Sequence, residues 1–401
     1  MSLIEALPVR RMQPCPNRVL LSLAVAMLAA LWGLDAVSVA PNRIVAGTGY
    51  PLWQAFGWPG AGLATLLPVV MAVLATYPVR HRDAALLAVS VLLLALMPFG
   101  LMLAAHGWIK PGMPQARLSL GPACWTVLFL LSLCLVELRL KMRLARSAMA
   151  LWLAGVAGVW WLCAALWLEP LALVQEFQAR SALFYRALGE HLALVGVAVG
   201  TSIVLGIATA LLIRRFSVCQ PAAFALLNFL QTVPSLALFG LLLAPLAWLG
   251  ANVEWLAALG VSGIGWTPAL LALTIYSLLP VVRNTCIALE AVNPAVLDAA
   301  SGMGMRPAQR FWQVRLPLAL PVLLEGVRIT TVQAIGLTAV AALIGAGGLG
   351  DFIFQGLGQA AMDMVLLGAL PIIAMALIAD ALLGALADIF RREAIRQGDA
   401  L

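Results

Sequence analysis

The chain has few charged residues and few residues that commonly bind metals. Only 10% of its 401 residues are charged, and three are histidines. Its six cysteines are scattered along the sequence, and no two of them have the spacing of a zinc site or a redox pair. We therefore expect no metal site and no catalytic centre, and we interpret the cysteines as small hydrophobic residues.

The sequence also lacks the phosphate-binding motif GxxxxGK[ST]. This absence predicts that the chain is not an ATPase and that any ATP is bound by a partner. No convincing repeat relates the two halves of the chain, so an inverted-repeat secondary transporter has no support. The formal net charge of +7 could suggest nucleic-acid binding, but in so apolar a chain we interpret the positive residues as topology signals.

Hydrophobic residues are abundant, at 63% of the chain. Backbone polar groups in lipid must be hydrogen-bonded internally, and the alternating ten-residue segments of a β-barrel are absent. We therefore predict an all-α polytopic protein in contact with membrane lipid. Apolar runs of about 20 residues predict about ten spans. They cover residues 19–40, 60–77, 84–105, 120–138, 148–168, 191–213, 222–243, 266–282, 319–344 and 364–390.

The basic residues predict the orientation of these spans. With the N-terminus in the cytoplasm, 18 of the 24 Lys and Arg residues lie in cytoplasmic segments, five lie outside, and Arg328 lies within a span. An excess of positive charge inside is typical of membrane proteins, so both termini are predicted to be cytoplasmic. The first apolar run is longer than a signal-peptide core, which favours a retained span with Asp35 near its outer end. Residues 244–265 are predicted to be an external interfacial or re-entrant segment; the alternative is a pair of extra spans, which would preserve the topology elsewhere.

Two membrane regions are predicted, with a short external linker between them. Residues 1–168 carry five spans and no motif that we can interpret. Residues 169–186 form the linker, residues 187–392 form the second membrane region, and residues 393–401 form a cytoplasmic tail.

Residues 291–321 form the longest stretch with regularly spaced polar residues in the second region. Asn293 can cap a helix, and Pro294 suits its first turn. Gly302 and Gly304 end this short helix, and a second one is predicted to begin at Pro307 and to stop before Pro317. We predict two short helices on the cytoplasmic surface.

The spacing within this stretch resembles the EAA loop of ABC-importer permeases. The matching residues are Asp298, Ala299, Ala300, Gly304, Val314, Leu316 and Pro317. Asp298 replaces the usual Glu, and Val314 replaces the usual Ile. The resemblance implies a type I permease core in which this loop is a coupling helix that docks on the ATPase. Asp298 would then support the fold of the loop or its partner contact, and Gly304 would allow close approach of the backbone.

Four blocks narrow the resemblance to the permeases of osmoprotectant importers, which transport glycine betaine, choline or carnitine. They are residues 231–238 (QTVPSLAL), 276–285 (YSLLPVVRNT), 302–305 (GMGM) and 341–351 (AALIGAGGLGD). With its extra N-terminal half, the chain resembles long members such as the permease of the Yeh system. The family implies two ATPase subunits, an external solute-binding protein and a second permease subunit, either an identical copy or a paralogue. It also implies the bacterial inner membrane.

Two further segments are candidates for the translocation pathway or its gate. Pro234 interrupts an apolar run beside Gln231, Thr232 and Ser235, and broken helices often mark translocation sites; the alternative is a kink bonded to neighbouring helices. Gly345, Gly347 and Gly350 spell GxGxxG, but no strand precedes them, so we predict close backbone packing near an outer gate instead of nucleotide binding.

The remaining polar residues in the apolar runs have a simpler interpretation. Glu325 and Arg328 share a helix face, so we expect an intramembrane ion pair, and Asp380 and Asp388 face the bundle or the cytoplasmic rim. Seven tryptophans, Trp266 among them, are interpreted as an interfacial belt and not as a cage for ammonium groups. The alternative function is an ion-coupled secondary transporter of a small zwitterionic or cationic solute.

Overall fold

A computed structural model describes the backbone of residues 16–43, 45–77, 79, 81–109, 112–113 and 115–398, and their side chains except those of 146–147 and 392–398. The basic residues Arg10, Arg11, Arg80 and Lys110, used above for topology, lie outside the described residues, as do Cys15 and the end of the predicted tail. Two compact units divide the chain, Met1–Gln175 and Glu176–Leu401. Within the described residues, nine helices are long and apolar enough to cross a membrane.

The first unit contains five long helices. They are α1 (Arg18–Gly33), α2 (Leu52–Thr76), α3 (Arg82–Trp108), α4 (Pro122–Met142) and α5 (Arg146–Leu166). Their buried apolar side chains form one cluster, which includes Leu20, Met27, Met71, Leu86 and Leu131. Asn17 caps α1 by accepting a hydrogen bond from the backbone N–H of Leu20 at 3.2 Å, so this helix begins where the apolar run begins.

The unit also contains a small antiparallel sheet, which the sequence analysis did not predict. Its strands are β1 (Asp35–Ala40), β2 (Thr48–Pro51) and β3 (Arg117–Leu120), in the order β2-β1-β3. The helix α1 has only 16 residues and ends at Gly33, so the span predicted over residues 19–40 is wrong in its second part, and Asp35 begins a strand. Val37, opposite Leu120, is fully buried, and this side-chain packing selects the strand over further helix.

The second unit consists of helices of very different lengths. The helix α6 (Ala172–Ala179) spans the boundary between the two units and covers much of the predicted linker. It is followed directly by α7 (Ser181–Arg215). The next helices are α8 (Gln220–Thr232), α9 (Ser235–Asn252), α10 (Glu254–Ala258), α11 (Trp266–Glu290), α12 (Pro294–Gly302) and α13 (Pro307–Gln309). A π-helix over Arg310–Arg315 leads into α14 (Leu316–Ala341), and α15 (Gly350–Gly358) and α16 (Met362–Gly398) complete the unit.

The span predicted over residues 222–243 is shifted toward the C-terminus in the structure. The helix breaks at Val233, and the membrane-length helix is α9, which continues to Asn252. Residues 244–252 are therefore part of a span and not of an external segment. Pro234 lies just before α9, where its missing N–H costs no helical hydrogen bond, and this explains the position of the break.

Close contacts between α7, α11 and α14 depend on small residues. A Cβ atom added at Gly206 of α7 would lie 2.6 Å from Cγ1 of Val281, and one added at Gly326 of α14 would lie 2.7 Å from Cβ of Asn284. Small residues let membrane helices approach closely, and dispersion contacts then hold them together. The prediction of a polytopic helical membrane protein is thus confirmed, with the small sheet as its one exception.

Two glycines of α14 provide a test of this packing. Gly326→Ala should lower the thermal midpoint of the full-length permease in detergent micelles, because overpacking costs about 1–3 kcal/mol and outweighs the higher helix propensity of alanine. Gly336→Ala is the matched control, since an added Cβ there has no atom within 4 Å. Equal shifts in the two variants would contradict the proposed contact between α11 and α14.

Candidate functional site: the loop before α14 and the charged groups of the second unit

The loop between α11 and α14 begins with a capped helix. Asn293 accepts a hydrogen bond from the N–H of Ala295 at 3.0 Å, and Pro294 lies in the first turn of α12. On this helix Ala300 is buried, whereas Asp298 and Ala299 are exposed. Among the described residues none hydrogen-bonds or pairs with the Asp298 carboxylate, so this group is available to a partner.

A tight turn ends α12. The N–H of Gly304 donates to the carbonyl of Ser301 at 3.0 Å, and that of Met305 donates to the carbonyl of Ala300 at 3.2 Å. Gly304 has φ +78°, a left-handed conformation that glycine adopts without cost. A Cβ at this position would touch nothing within 4 Å, so within the described chain the glycine serves the backbone conformation.

The second half of the loop corrects the sequence prediction. The helix that begins at Pro307 does not stop before Pro317, because the π-helix over Arg310–Arg315 joins it to α14. The N–H of Leu316 donates to the carbonyl of Phe311, five residues earlier. A proline lacks an N–H and crowds the preceding turn, and the wider π turn relieves this conflict without ending the helix.

The loop packs on the ends of two long helices. Phe311 and Leu297 contact a buried cluster that contains Leu289 and Val292, near the end of α11, and Ala319 of α14. Val314 and Leu316 are half-buried, Pro317 is exposed, and Arg310 donates to the Ser301 hydroxyl across the loop. Two large apolar side chains remain outside this packing, Met303 at 72% exposure and Trp312 at 65%. The loop therefore combines a fixed base with an exposed apolar surface that includes Met303 and Trp312.

The break between α8 and α9 is bonded to α11. The Gln231 amide donates to the carbonyl of Tyr276, and the Tyr276 hydroxyl donates to the carbonyl of Val233. Thr232 donates to the carbonyl of Phe229 at 2.7 Å, within its own helix. Gln231 thus has the partners expected of a bonded kink, which was the alternative interpretation. A role of Gln231, Thr232, Pro234 or Ser235 in the pathway stays a prediction.

Arg328 of α14 connects two helices through carboxylates. Its Nη1 lies 3.0 Å from Oε2 of Glu325, and its Nε and Nη2 lie 2.6 and 2.9 Å from the two carboxylate oxygens of Asp380 on α16. Arg391 extends the network, 3.9 Å from Glu325 and from Asp388. The sequence placed Asp380 in the bundle or at the cytoplasmic rim but did not identify it as a bidentate partner, since contacts 52 residues apart leave no local signal.

The glycine-rich turn before α15 packs against α7. Gly345 and Gly347 both have φ +76°, whereas Gly350 begins α15, and an added Cβ there would lie 2.0 Å from the carbonyl oxygen of Ala339. Glu190 accepts a hydrogen bond from the N–H of Gly348 at 3.2 Å. Burial raises the pKa of the nearby Asp351 carboxyl, and the negative charge of Glu190 raises it further. The close packing that the sequence predicts is present, and the sequence analysis missed the two carboxylates.

Two protein-family models match the chain. Residues 202–392 match "Binding-protein-dependent transport system inner membrane component", and residues 17–174 match "ABC transporter permease YehY, N-terminal domain". Curated relatives match about half of the chain. An osmoprotectant import permease of Salmonella typhimurium is 39% identical over 207 residues, which are 52% of this chain and 91% of the relative. A choline transport permease of Bacillus subtilis is 33% identical over 191 residues, which are 48% of this chain and 81% of the relative.

The chain also resembles a solved structure of the methionine ABC transporter MetNI in an inward-facing conformation. The identity is 21% and the TM-score is 0.45. The match covers 53% of this chain and 98% of the other.

The network around Arg328 predicts a loss of stability when one partner is removed. Asp380→Ala should lower the thermal midpoint of the permease, because a half-buried guanidinium loses both hydrogen bonds to its main partner, at a cost of about 1–3 kcal/mol. Asp298→Ala is the control, because its exposed carboxylate has no hydrogen bond or ion pair among the described residues. If the control were as damaging as Asp380→Ala, the bidentate pair would not be the source of the effect.

The raised pKa of Asp351 predicts a dependence of stability on pH. A carboxyl group whose pKa is higher in the folded than in the unfolded state lowers the stability of the protein when it is ionised, above its folded-state pKa. This cost disappears as the pH falls below the pKa of the group in the unfolded chain, about 3.9. Asp351→Asn should therefore raise the thermal midpoint at pH 7 and raise it less as pH approaches 4. A gain that did not change with pH would contradict the assignment of the cost to the ionised carboxylate.

Proposed function

We propose that this chain, which belongs to the family of inner-membrane components of binding-protein-dependent transport systems, is the membrane subunit of an ATP-driven importer of quaternary-ammonium osmoprotectants such as glycine betaine. The resemblance to osmoprotectant permeases found in the sequence is confirmed by the relatives, which are named for osmoprotectant and choline transport. The single observation that carries the proposed mechanism is the exposed apolar surface of the loop before α14, because it offers a partner a contact site on a rigid base.

The ATPase would dock on this loop. Met303 and Trp312 are exposed, and methionine and aromatic side chains are enriched at protein interfaces; Asp298 is exposed on the same loop. ATP would be bound by the two ATPase subunits, and this chain would supply no catalytic residue and hold no cofactor.

Movement of the loop would be transmitted to the spans through helices that are already connected to it. The π-helix continues into α14 without a hinge, and Arg328 ties α14 to α16. Gly326 brings α14 against α11, which also carries the other end of the loop. Closure of the ATPases would therefore displace α11, α14 and α16 together, and switch the pathway between outward- and inward-open states.

An external binding protein would deliver the solute, and a second permease subunit would complete the pathway. The positive-inside pattern would place both termini and the loop in the cytoplasm, where the ATPase is. The small sheet of the first unit would then lie at the external interface, where strand edges can contact water.

The experiment is ATP-driven uptake of radiolabelled glycine betaine into proteoliposomes that contain the permease and its ATPase, with the binding protein outside. Choline and carnitine are tested in parallel, because they share the trimethylammonium group. Uptake should require ATP and should occur without an ion gradient. Uptake that needs a proton or sodium gradient and no ATPase would instead establish the ion-coupled secondary transporter.

Docking on the loop is tested with Met303→Glu. A charge at the centre of an apolar contact should reduce co-purification of the ATPase and ATP-driven uptake by about tenfold or more, a loss of at least 1.4 kcal/mol. Met362→Glu is the matched control, since Met362 is similarly exposed, at 62%, but begins α16, outside the loop. Full co-purification of Met303→Glu, with the control equally intact, would place the ATPase contact elsewhere.

A further inference from the structure

A cavity of about 430 Å³ lies in the second unit, at the end far from the loop. Its walls include Arg186 and Glu190 of α7, Trp266 of α11, Gly347, and Asp351 and Gln355 of α15. Trp266 and the loop lie at opposite ends of α11, whose 25 residues span about 37 Å. If the loop faces the cytoplasm, the cavity opens toward the external side.

Two arginines and two carboxylates line this cavity, so its walls carry no net formal charge, but the ion pairs are distributed unequally. Arg186 pairs with Glu190 at 2.8 Å, and Arg180, which also lines the cavity, pairs with Glu176 at 3.5 Å. Asp351 has no hydrogen bond or ion pair to its carboxylate within the described part of the chain. Asp351 is therefore the one carboxylate of the described lining without an ion pair, and its pKa is raised first by burial and then by the negative charge of Glu190.

The walls of the cavity are held by specific bonds. Glu190 receives hydrogen bonds from Arg186 at 2.8 Å and from the N–H of Gly348 at 3.2 Å. A Cβ at Gly347 would lie 2.4 Å from a carboxylate oxygen of Glu190, so only glycine allows this approach. The N–H of Gly265 donates to the carbonyl of Ile344 at 2.8 Å and fixes the start of α11, with Trp266, beside the glycine-rich turn.

We propose that this cavity binds an alkylated ammonium ion, with the Asp351 carboxylate as its counter-ion and the Trp266 indole as its aromatic wall. A tetraalkylammonium group has no N–H to donate, so a negative charge and the face of an aromatic ring are the partners that recognise it. Because a divalent metal prefers several oxygen ligands and Glu190 is already engaged by Arg186, the side chains favour an organic cation.

This inference rests on the proposed function and extends it. The permease itself would make a selective contact with the solute between its release from the binding protein and its passage through the membrane. Trp266 would then be more than a member of the interfacial aromatic belt predicted from the sequence.

The test is titration of the full-length permease–ATPase complex with tetramethylammonium and with choline, without the binding protein. The complex is held in phosphatidylglycerol nanodiscs, so no lipid supplies an ammonium group, and binding is measured by isothermal calorimetry. Saturable binding of both cations is expected, and sodium at the same concentration should not compete. Absence of saturable binding, or equal competition by sodium, would overturn the proposal.

Four variants locate the site. Asp351→Asn and Trp266→Leu should each weaken tetramethylammonium binding by about tenfold. Glu254→Gln and Trp255→Leu change residues of the same types on α10, away from the cavity lining, and should leave binding unchanged. Since Asp351→Asn removes an unfavourable charge, the fold should survive it. Wild-type affinity in Asp351→Asn or in Trp266→Leu would refute the assigned roles.

The cation-binding test can fail or succeed independently of the uptake test of the proposed function. ATP-driven uptake with no cation binding to the permease would overturn this inference and leave the importer intact. Saturable cation binding that depends on Asp351, in a complex that shows no ATP-driven uptake, would support the site and refute the importer.

Discussion

The structure depends on the need to satisfy every backbone polar group inside a hydrocarbon layer. Uninterrupted helices meet this need by themselves, so each interruption requires a local solution. The break at Val233 is bonded by Gln231 and Tyr276, and the proline at the start of α14 is accommodated by a π turn. The sheet of the first unit occupies the connections between helices. At both of these interruptions in the second unit, the surrounding structure compensates for the loss of regular helix.

The same constraint keeps the loop before α14 continuous with its span, as the proposed coupling role requires. A loop joined to its span by flexible residues would absorb a displacement, whereas a continuous helix transmits it. The only glycine with a positive φ in the described part of this loop is Gly304, which is at the turn and not at the junction with α14. The exposed side chains Met303 and Trp312 belong to the same short element whose Leu297 and Phe311 pack on the buried base. A displacement of this surface would therefore be passed on to α14, because few flexible residues in the loop could absorb it.

Much of this arrangement could be predicted from the sequence, because its signals are local. Apolar runs indicate spans, Asn293 and Pro294 indicate a helix start, and Gly304 indicates a turn. The errors concern features with no local signal. The apolar residues after Gly33 could continue a helix or form a strand, and pairing with Leu120, more than 80 residues away, decides the outcome. The apolar residues around Trp248 likewise fit a span or an interface, and the helix break at Val233 selects the span. Asp380 could be placed in the bundle but not matched to Arg328.

Two groups of charges in the second unit illustrate different uses of electrostatics. Arg328 is surrounded by carboxylates that satisfy its hydrogen bonds, so it stabilises the contact between two helices and gains nothing from a ligand. Asp351 lies beside another carboxylate, in a cavity whose arginines are already paired, so it is held at a cost to stability. A cation from outside the chain would offset this cost at the proposed binding site, whereas the ion network around Arg328 is already satisfied within the chain.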